Sequence, residues 1–246
     1  MKKLNLKIIV FLLIIVILLI FIGIGVKFLI EEKEENTAVS SIEFDDDDPT
    51  YDEKSAINII LEGSTINTKS KNVEVNQNAA IIKTGGIYVL SGSLNGNISI
   101  DTIDQVRIIL KDATIESTDG PAIYVKNADK VIVTLAENTS NFLKDSTNYS
   151  DAEAVATVYS KDDLVFNGYG SLSVEGTYQD GIVSKDDLKI ISGTYNVNAM
   201  NNGIKGKDSV KIKDGDVTVV AQNDCIKSTN LEEEGKGYVE IKKRYI

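Results

Sequence analysis

The chain lacks histidine and tryptophan, and it contains one cysteine and two prolines among 246 residues. Without histidine there can be no Ser–His–Asp or Cys–His catalytic group, no histidine metal ligand and no histidine pH switch. Cys225 alone cannot form an intramolecular disulfide, and we expect it to be a small buried apolar residue. Any functional site must therefore be built from Asp, Glu, Asn, Lys, Arg, Ser, Thr and Tyr.

Basic residues are scarce beyond the N-terminus. Four lysines and no acidic residue lie in the first thirty positions, which leaves 22 basic and 37 acidic residues for the rest of a chain whose net charge is −11. Such an acidic domain should repel nucleic acid, and we expect no nucleic-acid partner. It would also repel an acidic polysaccharide unless cations intervene.

One long apolar segment is present. Residues 8–26 form a 19-residue run without a charge, and as a helix this run would span roughly 28 Å, close to the thickness of a bilayer core. Lysines precede it and glutamates follow it, so the sequence predicts a single-pass transmembrane helix with a cytoplasmic N-terminus. The alternative is a cleaved signal peptide, for which residues 38–40 are the nearest candidate site.

Composition divides the chain into three parts. Residues 1–30 are predicted to be a cytoplasmic tip and the transmembrane helix. Residues 31–56, which include four consecutive aspartates at 45–48, are predicted to be a self-repelling disordered stem. Residues 57–246 alternate apolar and polar residues between turns rich in Gly, Asn and Asp, and they form the predicted folded domain.

Internal repeats mark this domain. The sequence Ser-Lys-Asp-Asp-Leu at 160–164 recurs at 184–188, and a decayed copy lies at 206–210. A second motif, a polar residue followed by Gly or Cys and then Ile, keeps a strict 22-residue period. It occurs at 180–182, 202–204 and 224–226.

The repeats predict the fold. Each holds three short alternating strands without a helix, so the sequence predicts an all-β, right-handed parallel β-helix with coils of about 22 residues, each strand about 4.8 Å from its counterpart. A β-sandwich is the alternative. We expect two inward aliphatic ladders, Ile182/Ile204/Ile226 and Leu164/Leu188/Val210.

Stacking the coils would also stack carboxylates. Like charges on adjacent strands destabilise a sheet, so they must be solvated beside neighbouring lysines or bound to a hard cation such as Ca²⁺, which takes six to eight oxygen ligands. The predicted columns are Asp162/Asp186/Asp208, Asp163/Asp187/Ser209 and Asp180/Asn202/Asp224. The candidate metal ligands are Asp162, Asp163, Asp186, Asp187, Asp208, Asp180 and Asp224.

Lysines project from the strand that joins the acidic turns. They are either ordinary solvent-facing side chains or a surface for an acidic sugar chain, with ammonium groups paired to uronate carboxylates. The candidate carbohydrate-binding residues are Lys185, Lys205, Lys207 and Lys227.

Several segments in order resemble a known family. The similarity is to a family of bacterial β-helix proteins that contain a carbohydrate-binding domain, and it is carried by residues 159–168, 180–190, 226–230 and 234–239. This family is related in structure to calcium-dependent pectate lyases. The similarity is stronger over residues 155–241 than over residues 55–154.

The resemblance implies a function. Such a protein lies on the surface of a bacterium and binds plant cell-wall polysaccharide, particularly acidic polysaccharide, with Ca²⁺. Together with the predicted transmembrane helix, this places the chain at the plasma membrane with its C-terminal domain outside, and the leading prediction is a non-catalytic binding module. Its metal-binding acids would fall among Asp162, Asp163, Asp186, Asp187 and Asp208. The alternative is a calcium-dependent lyase, in which a Lys or Arg of lowered pKa removes the proton beside a uronate carboxylate. A surface spacer without a ligand is a third possibility.

The chain departs from the family pattern at two places. Asn201 and Asn202 stand where two acids usually precede Gly-Ile, which weakens a ligand role there. The chain also ends at Ile246, where further coils would be expected. An unfinished coil leaves an open strand edge, so the sequence predicts self-association as a risk.

Overall fold

The computed structural model describes residues 43–242, which form strands joined by turns and bends. Alternating apolar residues and β-branched side chains favour these strands. In chain order they are β1 (Ile57–Gly63), β2 (Thr65–Asn67), β3 (Val73–Asn76), β4 (Ala79–Ile82), β5 (Gly86–Asn95), β6 (Asn97–Asp101), β7 (Gln105–Glu116), β8 (Ile123–Asn127), β9 (Lys130–Leu135), β10 (Ser140–Lys144), β11 (Ala156–Ser160), β12 (Asp163–Gly168), β13 (Ser171–Gly176), β14 (Asp180–Ser184), β15 (Asp187–Ile190), β16 (Thr194–Ala199), β17 (Ile204–Gly206), β18 (Ser209–Ile212), β19 (Asp216–Ala221), β20 (Ile226–Ser228) and β21 (Tyr238–Ile241).

The strands form two sheets. The larger has 13 strands along the path β19-β16-β13-β10-β7-β9-β12-β15-β18-β21, with β5 and the β1–β2 hairpin attached beside β7. The smaller has eight strands in the order β20-β17-β14-β11-β8-β6-β4-β3. Within the described residues, the pairings are parallel apart from the antiparallel hairpins β1–β2 and β3–β4.

This architecture corrects the predicted one. The sequence predicted a parallel β-helix of three short strands per coil, preceded by a transmembrane helix. Residues 43–242 contain no helix long and apolar enough to cross a membrane, and the predicted span 8–26 lies outside the described residues. The folded chain is an all-β half-barrel of parallel strands faced by a second sheet. The predicted location at a plasma membrane required that helix and is corrected with it.

The large sheet is continuous because β7 does not break. Its first half pairs with β9 and its last three residues pair with β10, so this one strand links the strands that follow β9 and those that follow β10 into a single sheet. The chain bends instead of turning: the register with β5 shifts after Leu90, and Asp112 adopts a φ of 53°. A bulge of this kind bends a strand and increases its twist without ending it.

The predicted inward ladders are confirmed. Ile182 pairs with Ile204 and Ile204 with Ile226, and Leu164, Leu188 and Val210 pair in the same way. Five of these six side chains form part of one buried core, namely Ile182, Ile204, Leu164, Leu188 and Val210, whereas Ile226 at the last rung is partly exposed.

Glycine in the 22-residue motif lies where two coils approach closely. A Cβ atom at Gly203 would come within 2.6 Å of the Cys225 carbonyl oxygen and 2.1 Å of the Val219 Cγ1 atom. Cys225 takes the equivalent position in the next coil and is exposed. The prediction that its side chain is buried was wrong, because the cysteine lies in the last repeat, where the core is partly open.

Residues 43–56, the described end of the predicted stem, are ordered against the 13-stranded sheet. Phe44 lies over the Arg107 guanidinium at 4.9 Å, and Tyr51 packs against the cluster that contains Val89 and Ile109. This acidic segment has a composition typical of a disordered linker, but it forms defined contacts here because the sheet beneath it carries complementary charge.

Candidate functional site

The predicted acidic columns form. The Asp187 backbone N–H donates to Asp163 Oδ1 at 3.2 Å, and the Ser209 hydroxyl donates to Asp187 Oδ1 at 2.5 Å. In the neighbouring column, the Asp208 backbone N–H donates to the Asp186 carbonyl oxygen at 3.2 Å. Residues one repeat apart are thus adjacent, as their period predicts.

Asp180 lies in a separate column and is fully buried. Its Oδ1 atom accepts from the Asn202 backbone N–H at 2.9 Å, and from the Asn202 and Asn201 side-chain amides at 2.8 Å each. Its Oδ2 atom is paired with the Lys205 ammonium. At the next acidic rung Lys227 pairs with Asp224 at 2.5 Å. These contacts occupy the carboxylate oxygens with protein donors.

The Asp186 and Asp208 carboxyl groups titrate differently. Partial burial, a hydrogen bond with Asp208 and the charge of Asp163 raise the pKa of Asp186 to about 6. Burial also acts to raise the pKa of Asp208, but hydrogen bonds from Lys236, Asn230 and Asp186 outweigh it and lower that pKa to about 2. The pair therefore holds a proton on Asp186 below neutral pH.

The predicted calcium ligands are in part occupied by donors of the protein itself. Among residues 43–242 there is no group of three or more Asp, Glu or Cys side chains placed to hold a metal. Several of these carboxylates already accept a hydrogen bond from the protein; Asp162, for example, accepts from the Ala128 backbone N–H at 2.9 Å. Calcium ligation by these residues stays a prediction.

The four candidate carbohydrate-binding lysines divide into two pairs. Lys205 and Lys227 bind the carboxylates of Asp180 and Asp224. Lys185 and Lys207 are exposed, and neither has a salt bridge to a described residue. The second pair is therefore available to a ligand, and the first supports the fold.

Register adds two lysines that the sequence reasoning missed. The backbone N–H of Lys161 donates to the Val125 carbonyl oxygen, that of Lys185 to Ser160 and that of Lys207 to Ser184, at 2.9–3.0 Å. These lysines therefore form one stack on the outer face of the eight-stranded sheet, which we call the lysine column. It contains Lys126, Lys161, Lys185 and Lys207, which are all exposed and unpaired with any described acid.

A cleft of about 450 Å³ lies beside the column, and both Lys126 and Lys161 line it. The Tyr124 hydroxyl donates to Asp151 Oδ2 at 2.8 Å, and the Lys126 ammonium lies 5.4 Å from the Tyr124 ring centroid. Ser150 and Asp151 form part of its wall, where the Ser150 hydroxyl donates to Asp119 Oδ2 at 2.6 Å.

This arrangement offers cations at a regular spacing, an aromatic ring and several hydrogen-bonding groups. Neighbouring ammonium groups start from backbones about 4.8 Å apart, which is comparable to one sugar unit of a polymer. Lysine pairs with carboxylates, and a tyrosine presents an apolar face and a polar tip. The repeated motif that contains Lys161, Lys185 and Lys207 carried the signal for three of the four positions. Lys126 and Tyr124 lie outside that motif, and only the observed pairing of β8 with β11 places them beside it.

Comparison with known proteins gives consistent matches. A family model described as carbohydrate-binding domain-containing protein matches residues 76–244. A carbohydrate-binding domain-containing protein of Acetivibrio thermocellus is 32% identical over 150 residues, which are 57% of this chain and 52% of the relative. The matched region thus spans about half of the relative's length.

A solved structure is also similar. It is the gadolinium derivative of a polysaccharide lyase-like protein from C. thermocellum, which is 34% identical with a TM-score of 0.73. The similarity covers 76% of this chain and 79% of that one.

Proposed function

Because the chain belongs to the family of carbohydrate-binding domain-containing proteins, we propose that it binds an acidic polysaccharide along the lysine column and does not cleave it. The family resemblance expected from the sequence is confirmed. A polymer of uronic acids, such as occurs in plant cell walls, has the matching chemistry: one carboxylate and several hydroxyl groups on each sugar.

The lysine column is the observation that carries the proposal. A chain with a net charge of −11 repels polyanions overall, so a polyanion must meet a local positive surface. Lys126, Lys161, Lys185 and Lys207 supply it, since all four are exposed and none forms a salt bridge with a described carboxylate. A regular stack suits a regular ligand, because successive sugars meet equivalent side chains.

The cleft supports the choice of a sugar. Tyr124 is held by its hydrogen bond to Asp151 and by an edge contact with Tyr159, whose ring centroid is 5.7 Å away. Tyr124 is only 8% exposed and shapes the wall of the cleft, while Asp119 and Asp151, which also line it, can accept hydrogen bonds from the hydroxyl groups of a sugar. The column provides attraction along the polymer and the cleft recognises one unit.

The surroundings of the lysines favour binding over elimination. A catalytic base must be desolvated and must reach the proton that it removes. Lys205 and Lys227 hold carboxylates, and Lys185 and Lys207 project into solvent. None of these four candidate carbohydrate-binding lysines is both free and desolvated, as a catalytic base must be, so we propose no elimination step.

Substitution of two column lysines tests the proposal. We expect Lys185→Gln/Lys207→Gln to bind polygalacturonate at least fivefold more weakly than wild type, because each exposed ion pair contributes up to about 1 kcal/mol and about 1.4 kcal/mol is tenfold in affinity. Isothermal titration calorimetry measures the dissociation constant.

Lys69→Gln/Lys71→Gln is the matched control. Both lysines are exposed and lie outside the column, so this variant has the same net charge and should keep nearly wild-type affinity. Equal losses in the two variants would show a non-specific charge effect and would refute the site. An ultraviolet assay for unsaturated uronate on the same samples separates binder from lyase, and product formation would refute the non-catalytic function.

A further inference from the structure

An acidic strap crosses the outer face of the 13-stranded sheet. We define it as residues 43–51, which belong to no strand. The Asp46 carboxylate bridges two lysines: Oδ1 accepts from Lys130 at 2.6 Å and Oδ2 from Lys189 at 2.9 Å. Asp47 pairs with Lys213 at 2.6 Å. The strap thus places carboxylates on a row of cations.

The strap backbone is held by side chains of the sheet. Arg107 donates to the Thr50 carbonyl oxygen at 2.7 Å and to that of Asp45 at 3.0 Å. The Asn167 amide donates to the Asp46 carbonyl oxygen at 2.8 Å. The described strap residues form no ladder of backbone hydrogen bonds with the sheet, so the strap can leave without disrupting any strand pairing.

Arg107 is poorly satisfied by the strap. It is only 3% exposed, its Nε atom has no hydrogen-bond partner, and its two hydrogen bonds go to neutral carbonyl oxygens, with the Phe44 ring over its guanidinium. A buried guanidinium is best matched by a carboxylate that accepts two parallel hydrogen bonds. This face therefore offers more to an anion than the strap uses.

The cations under the strap lie across neighbouring strands. Lys130 is on β9, Lys189 on β15 and Lys213 directly follows β18, and the sheet order β9-β12-β15-β18 makes these strands consecutive. By register, Lys189 lies two residues further along the strands than Lys130, and Lys213 lies two residues further again. The row therefore runs diagonally over the sheet and spans roughly 20 Å, at about 4.8 Å per strand and about 3.3 Å per residue, which suits an extended polymer.

We propose that the face beneath the strap, formed by Arg107, Lys130, Asn167, Lys189 and Lys213, is a second binding surface for a polymer of carboxylated sugars, and that the strap is its resident competing ligand. Carboxylate is the indicated group because Asp46 and Asp47 already bind there through carboxylates. The choice of a sugar polymer rests on the proposed function, whereas the anion-binding surface itself does not.

Neutralising the strap tests this surface. We expect Asp46→Asn/Asp47→Asn to bind polygalacturonate at least threefold more tightly than wild type, with a larger number of sugar units bound per protein in isothermal titration calorimetry. The gain should persist when Lys185→Gln/Lys207→Gln is added, since the two surfaces lie on different sheets. Adding Lys189→Gln instead should abolish it.

Two further variants keep the outcome decisive. Glu232→Gln/Glu234→Gln changes net charge equally at exposed positions outside the strap, and it should leave affinity unchanged. Asp47→Asn alone removes only an exposed ion pair, so it should fold and should show part of the gain if the double variant unfolds. No gain in either strap variant, or an equal gain in the control, would overturn the proposal. A gain for DNA but not for polygalacturonate would assign the surface to another polyanion and would also overturn it.

Discussion

The protonation state of Asp186, which lies next to Asp208, affects the stability of the acidic column. The ordinary pKa of an aspartate is 3.8, whereas that of Asp186 in the fold is about 6. A raised folded pKa means that this carboxyl favours the folded state in its protonated form. The favourable contribution is complete below pH 4, falls between about pH 4 and 6, and is absent above that range.

Removing this charge should therefore stabilise the protein only at higher pH. We expect Asp186→Asn to raise the free energy of unfolding by about 0.5 kcal/mol at pH 7.5, a magnitude typical of neighbouring like charges at exposed positions. Urea denaturation measures it. At pH 4.5 wild-type Asp186 is protonated and the two proteins should be nearly equal. A gain of the same size at both pH values would contradict the mechanism.

The predicted calcium ligation has its own signature in the same proteins. If Asp186 is a ligand, millimolar Ca²⁺ raises the unfolding midpoint of wild type and leaves that of Asp186→Asn unchanged, because a ligand that binds only the folded state stabilises it. An equal response of both proteins would remove Asp186 from the set of ligands.

The period of the sequence predicts which acids are neighbours, and it does not predict their partners. Asp208 is paired with Lys236 at 2.7 Å and with Asn230 at 2.8 Å, both from an irregular segment without a repeat. Asp180 is likewise satisfied by Asn201 and Asn202, which the sequence analysis treated only as weakened ligands. Side-chain rotamers and loop paths decide these contacts, and neither follows from spacing.

At the scale of elements, alternation predicts strands well and their continuity poorly. The ladder of Ile182, Ile204 and Ile226 follows from the spacing, since parallel strands in register bury the same side. Whether β7 ends or bends depends on one bulge, where Asp112 has a φ of 53°. The sequence predicted only short strands, whereas β7 is one strand of 12 residues.

The ladder predicts a position-dependent cost for the same substitution. We expect Ile204→Ala to lower the free energy of unfolding by about 3 kcal/mol, because a fully buried side chain leaves a cavity between two occupied rungs. Ile226→Ala should cost less than about 1.5 kcal/mol, because the last rung is partly exposed and loses less packing. Urea unfolding of the two variants measures both values, and equal costs would contradict a core that opens at its last coil.

For the whole molecule, charge acts on two length scales. The net charge of −11 repels a polyanion at a distance, whereas the lysine column attracts it at contact. The Debye length shortens from about 30 Å at 0.01 M salt to about 10 Å at 0.1 M, so salt screens the distant repulsion first. The strap has the same character: acids that are repelled by most of the chain bind to a locally basic face.

These two scales should separate in binding kinetics. We expect the association rate constant for immobilised polygalacturonate to stay level or rise between about 0.01 and 0.1 M salt, as screening removes the long-range repulsion. The dissociation rate constant should rise over the same range, because the contacts along the column weaken. Surface plasmon resonance measures both constants. Lys185→Gln/Lys207→Gln should keep the salt response of association and lose most of that of dissociation. A steep fall of the wild-type association rate constant with salt would mean that the column, and not the net charge, dominates the field that the polymer meets first.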